Sequence, residues 1–90
     1  MSIHPSALID PQAEVHPTAV IGPHVVIEAP VRIGPECKLG PFAVVMAHTI
    51  IGARCRIHSH AVIGDVPQDR AYDGGETYCR IGDDCIIREG

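Results

Sequence analysis

The residues of this 90-residue chain able to do chemistry are six histidines, four cysteines and a group of carboxylates between 65 and 76. The histidines are His4, His16, His24, His48, His58 and His60. A general base must reach the hydroxyl it activates within hydrogen-bond range. His58 and His60 stand nearest in sequence to the carboxylates Asp65, Asp69, Asp73 and Glu76. On an exposed stretch those carboxylates are simply ionised. The cysteines, Cys37, Cys55, Cys79 and Cys85, have no C-x-x-C spacing, so they suggest neither a zinc site nor a redox pair. Nothing here calls for a cofactor or a bound metal.

What positions these residues is a ladder. An aliphatic side chain falls at every sixth position: Ile3, Ile9, Val15, Ile21, Ile27, Ile33, Leu39, Val45, Ile51, Ile57 and Ile63. Four residues after each comes a mostly small one, as at Ala7, Ala19, Cys37, Ala43, Cys55 and Ala61. A period of six fits neither an amphipathic helix nor a plain strand. It fits short strands joined by tight turns, the hexapeptide β-helix repeat. Taking the aliphatic as position one, glycine recurs at position two and proline at position three. Gly tolerates a positive φ and Pro fixes a negative one, so both mark turns. Positions five, six, one and two are then expected as a four-residue strand, with five and one inward and six and two outward.

Three such strands close one triangular coil, and residues eighteen apart stack. All six histidines fall at positions two or four, at corners or facing outward, where solvation is their ordinary state. His24 and His60 lie two coils apart, about 9–10 Å, too far to share a metal ion directly. Cys37, Cys55 and Cys85 join Ala19 in one inward column, where a thiol acts as a small hydrophobe. The outward position six gives one unbroken apolar stripe, Leu8, Val26, Val44 and Val62. Contiguous exposed apolar residues mark contacts, and one stripe on a three-sided prism suggests packing about a threefold axis.

Composition excludes other classes. The formal net charge is −4 with scattered basic residues, which gives no nucleic-acid or anionic-lipid footprint. No apolar run is long enough to insert in a membrane. The first residues lack the regions of a signal peptide, so the expected compartment is cytoplasmic, with reduced thiols. One domain is expected over 1–90: regular coils over 1–64, an excursion from a corner over 65–78, and a resumed coil over 79–90. A long polar loop on a rigid scaffold is commonly functional.

Hexads such as Ile-His-Pro-Ser-Ala (3–7) and Leu-Gly-Pro-Phe-Ala (39–43) resemble those of left-handed β-helix acyltransferases. A more specific run is Ala-Val-Ile-Gly-Asp-Val-Pro-Gln-Asp (61–69), Tyr72, Gly-Glu-Thr (75–77), Ile-Gly-Asp (81–83) and Ile-Arg-Glu (87–89). Over the whole chain this resembles the N-terminal portion of the acyl-carrier-protein–UDP-N-acetylglucosamine O-acyltransferases. The resemblance implies an all-β fold, a left-handed parallel β-helix of about four coils with one loop excursion. It implies a homotrimer acting in lipid A biosynthesis, which moves a hydroxyacyl chain from acyl-carrier protein to the 3-hydroxyl of UDP-N-acetylglucosamine. It assigns Gln68 and Asp69 to substrate contact.

The chain departs from that pattern in two places. Arg70-Ala71 stands where the family often has Leu-Lys, and Cys85 where it commonly has Asn. The family's catalytic histidine belongs to coils further along, so none of the six here is expected to be the base. Two other readings fit the same repeat. One is a non-catalytic trimeric structural or assembly module. The other is a different hexapeptide acyltransferase or a γ-class carbonic anhydrase relative, which would need zinc-binding histidines across a trimer interface.

Overall fold

In a computed structural model, which describes residues 2–64 and 79–89, the ladder becomes thirteen short strands in three parallel sheets. The first face stacks β1 (Ser2–Ile3), β4 (Val20–Ile21), β7 (Lys38–Leu39), β10 (Arg56–Ile57) and β13 (Ile86–Ile87). The second stacks β2 (Leu8–Ile9), β5 (Val26–Ile27), β8 (Val44–Val45) and β11 (Val62–Ile63). The third stacks β3 (Glu14–Val15), β6 (Val31–Ile33), β9 (Thr49–Ile51) and β12 (Cys79–Ile81). The chain visits the faces in turn, so consecutive strands never pair.

The register is eighteen residues throughout the regular coils, as in Ile3↔Ile21 and Ile27↔Val45. Across the excursion it becomes thirty, in Ile51↔Ile81 and Ile57↔Ile87. The extra twelve residues equal two hexads, so the inward face is recovered in phase. The core is a dry column of thin side chains. Ile21, Ile27, Ile33, Val45, Ile51 and Ile57 are all at most 2% exposed. Fully burying an Ile or Val contributes roughly 1.5–3 kcal/mol, and branched aliphatics suit a narrow interior better than rings.

Two local expectations change. Most strands contain two residues rather than four, because a turn bond closes positions two to five. Ala7 N–H donates to His4 O (3.0 Å), and Ala13, Ala19, Ala43 and Ala61 repeat the bond at their corners. The positive φ also lies elsewhere. Apart from Gly64, it falls at position four, on His24, Glu36, Phe42, His48, Arg54, His60 and Asp84, with φ between 56° and 66°. The left-handed conformation aims the position-four N–H down the prism. Phe42 N–H donates to Pro23 O (3.0 Å), Arg54 to Pro35 O (2.8 Å) and Asp84 to Ala53 O (2.8 Å). A corner rung therefore offsets a conformation that non-glycine residues avoid. Position-two glycine serves close stacking instead: a β-carbon at Gly40 would lie 2.9 Å from Ser59 N in the next coil.

Candidate functional site

The outward columns are the surfaces on which function can be built. Leu8, Val26, Val44 and Val62 stand in direct register on the second face, as the hexad count requires. Leu8 and Val62 are 70% and 59% exposed; Val26 and Val44 are half-buried by their neighbours. The first face reads Val20, Lys38, Arg56, Ile86, and the third Glu14, Arg32, Ile50, Arg80. On the third face, Arg32 Nε donates to Glu14 Oε2 at 2.9 Å.

The corner between the third and first faces is electrostatic. Arg54 donates to both oxygens of Asp84 (2.8 and 3.0 Å). This bond and the attendant charge hold the Arg54 guanidinium above its ordinary value. The same hydrogen bond draws Asp84 below the usual carboxylate value. Both groups are exposed, so solvent screens most of this attraction.

The corner between the first and second faces is aromatic. Phe42 lies between two imidazoles, with centroids 5.0 Å from His24 and 5.2 Å from His60 and planes within 17° and 8° of parallel. The sequence reading left these histidines as separate solvated corners. They are exposed as expected, but the eighteen-residue spacing of 24, 42 and 60 stacks them.

Two Ser/Thr–His contacts resemble a nucleophile with its base. His4 Nδ1 lies 2.8 Å from Ser6 Oγ, and His16 Nδ1 lies 3.0 Å from Thr18 Oγ1. Each hydroxyl also accepts a main-chain N–H from the next coil, Ser6 from His24 (2.9 Å) and Thr18 from Glu36 (2.8 Å). In each, the N–H two residues on bonds the same ring nitrogen (3.1 Å). The arrangement occurs twice in the first coil, at exposed corners. It is a turn staple, and its hydroxyls are already engaged.

The thiol column forms as expected. Cys37, Cys55, Cys79 and Cys85 are free, with Cys37 and Cys55 buried. Cys37 Sγ donates to Gly52 O (2.9 Å) and Cys55 Sγ to Gly82 O (3.0 Å). Burial pushes the Cys37 thiol up from its ordinary value, which keeps it protonated and unreactive. Among the described residues, no group of three or more His, Cys, Asp or Glu side chains could hold a metal. Nor is any helix there long and apolar enough to cross a membrane.

Gln68 and Asp69 lie outside the described residues. The root of their segment is described. Gly64, at φ +85°, sits directly over the side chain of Thr49. Thr49 is 0% exposed, and its hydroxyl has no hydrogen-bond partner. No sequence signal marked Thr49, which occupies a position otherwise filled by small hydrophobes.

Comparison with known proteins places this geometry. Residues 30–65 match the bacterial transferase hexapeptide (six repeats) family. The acyl-(acyl-carrier-protein)–UDP-N-acetylglucosamine O-acyltransferase of Chlamydia pneumoniae is 42% identical over 88 residues, covering 98% of this chain and 32% of that protein. The Brucella ovis enzyme of the same name is 36% identical over the same share of each. LpxA from Acinetobacter baumannii superposes with a TM-score of 0.90 at 41% identity, covering 97% of this chain and 34% of that one. Francisella novicida UDP-N-acetylglucosamine acyltransferase gives 0.89 at 38%, covering 97% and 32%. The chain thus spans about one third of the length of the relatives it matches. In sequence, register and superposition it resembles about one third of the UDP-N-acetylglucosamine O-acyltransferases and, like their solved structures, is a left-handed parallel β-helix.

Proposed function

We propose that this chain is part of an enzyme that transfers a hydroxyacyl chain from acyl-carrier protein to the 3-hydroxyl of UDP-N-acetylglucosamine, in lipid A biosynthesis. The reading is carried by one observation, the 0.90 superposition on LpxA at 41% identity over 97% of the chain. Within that activity the coils act as scaffold and assembly surface. The exposed stripe Leu8, Val26, Val44 and Val62 faces the axis of a homotrimer. Gln68 and Asp69, on the polar segment after Gly64, contact substrate. Among the described histidines, His4 and His16 are stapled, His24 and His60 stack on Phe42, His58 is exposed and His48 half-buried, and none is assigned as the base. The four free thiols fit a reducing compartment, and the enzyme works in the cytoplasm.

The test is a chimera. These 90 residues replace the matching third of the Chlamydia pneumoniae relative, and acyl transfer from an acyl-carrier-protein thioester is measured. Turnover within about tenfold of the parent is expected, with Gln68→Ala and Asp69→Ala each lowering kcat/KM by about tenfold or more. The 90 residues alone should give no turnover. A folded, trimeric but inactive chimera would favour the assembly-module reading instead.

A further inference from the structure

The substrate contact proposed for Gln68 and Asp69, on which this inference rests, requires the chain that carries them to be fixed at its roots. Both roots are described. The chain departs from the ladder after Gly64 and rejoins it at Cys79. The two roots stand over one place in the coil below, His48 and Thr49.

At the departing root, Gly64 (φ +85°) lies over Thr49, whose Oγ1 fills the space a β-carbon on Gly64 would take. At the returning root, Cys79 pairs in register with Thr49, and its N–H donates to His48 O at 2.8 Å. His48 sends its own N–H down to Pro30 O (2.6 Å). Beside it, Ala47 N–H donates to Glu28 Oε1 (2.9 Å). The corner beneath the segment is thus tied to the coil below through two residues, and to the returning chain above through a third bond. The pairing is longer here as well. β6, β9 and β12 have three residues each, where the described strands of the first two faces have two.

Thr49 is the unusual member. Its inward position is filled by Val31 in the coil below and Cys79 in the coil above, and elsewhere by Ala, Val or Cys. It is fully buried and its hydroxyl is unpartnered, so the hydroxyl gains nothing from hydrogen bonding. What the side chain supplies is shape. A β-branched residue is stiff at χ1, so the branch stays lodged against Gly64. Alanine would leave a void there. It would also release a glycine, the residue with most freedom to turn another way.

We infer that Thr49 is a positioning residue. Its side chain locks Gly64, and with the His48 carbonyl it holds the two roots of the segment side by side. The direction in which the chain leaves the prism is set at this lock, and with it the placement of Gln68 and Asp69. A loop whose ends are already fixed loses less entropy when it orders on a ligand.

Trypsin tests the lock on the full chain without substrate. Arg70 lies between the roots, and Arg54 lies in the prism. Thr49→Ala should speed cleavage after Arg70 by about tenfold relative to cleavage after Arg54. Thr49→Val, which keeps the branched shape, should leave that ratio within about twofold of the parent. Equal acceleration at both sites would mean general destabilisation, and no acceleration would mean no lock; either overturns the inference. In the chimera described above, Thr49→Ala should raise KM for UDP-N-acetylglucosamine about fivefold with kcat within about twofold, because a displaced contact weakens ground and transition state alike. Thr49→Val should restore the parent KM. An active chimera indifferent to Thr49→Ala would remove the positioning role and leave the transfer reading standing. An inactive chimera whose Arg70 responds as expected would sink the transfer reading and leave the lock.

Discussion

Thr49 Oγ1 occupies the place where a β-carbon on Gly64 would stand. One residue is buried with an unpartnered hydroxyl, and the other has a positive φ at the end of the regular ladder. Gly64→Ala meets both a strained backbone and an overpacked core. It should lower stability by about 2–4 kcal/mol, read as a lower urea midpoint at unchanged slope. Thr49→Ala in that background should recover part of the loss, because the two sites share one space. Simple additivity would mean that the collision is not the cause. Thr49→Val alone should leave stability unchanged or raise it by up to about 1 kcal/mol, since a buried unpaired hydroxyl is costly.

Val44 sits in the middle of the apolar stripe, between Val26 and Val62. In the proposed homotrimer a carboxylate there would be desolvated against the same carboxylate of two other copies. Val44→Asp should convert a trimer to monomers by light scattering, with the far-ultraviolet circular dichroism unchanged. A trimeric Val44→Asp protein would refute the role of the stripe.

The Arg54–Asp84 bond gives a pH dependence of known sign. Asp84 is drawn below its ordinary value of 3.8. The folded state therefore holds its proton less tightly than the unfolded state does. The stability this contributes is complete above pH 3.8 and is lost as pH falls through the lowered folded value. Asp84→Asn should flatten the stability curve in that acid window. The difference should shrink in high salt, because both groups are exposed. An identical acid slope in the variant would remove Asp84 from the account.

The thiols should separate by reactivity. Cys79, exposed, should react with a thiol reagent at once, and Cys85 more slowly. Cys37 and Cys55 should react only on unfolding. Because burial holds Cys37 above its ordinary value of 9.0, the unfolded thiol ionises first, and stability declines as pH rises through that value. Early labelling of Cys37, found by mass spectrometry, would contradict its burial.

Much of the fold was legible because a solenoid writes its geometry as a period. The columns Ile3–Ile21–Leu39–Ile57 and Leu8–Val26–Val44–Val62 follow from counting by eighteen. The resumption at Ile81 keeps the six-residue phase, thirty residues after its partner Ile51. The turn conformation was not legible. Glycine recurs at position two, yet Gly64 alone of the described glycines has a positive φ, and Phe42, Arg54 and Asp84 adopt it at position four. Propensity favours glycine in that region, but a corner hydrogen bond to the coil below outweighs it, and that bond exists only once coils stack. The aromatic column escaped notice for a related reason. His24 and His60 are unremarkable singly and become a surface only with Phe42 between them. Gln68 and Asp69, proposed to contact substrate, carry no periodic signal and rest on likeness alone.

Stacking like on like also makes the molecule one-dimensional. Each coil touches only the coil before and the coil after, so stability accumulates link by link. Ile3 in the first coil is 39% exposed, while Ile21 and Ile57 are 2% exposed. A lesion in one coil would weaken the two beside it and reach the rest only through them, as a broken rung affects a ladder.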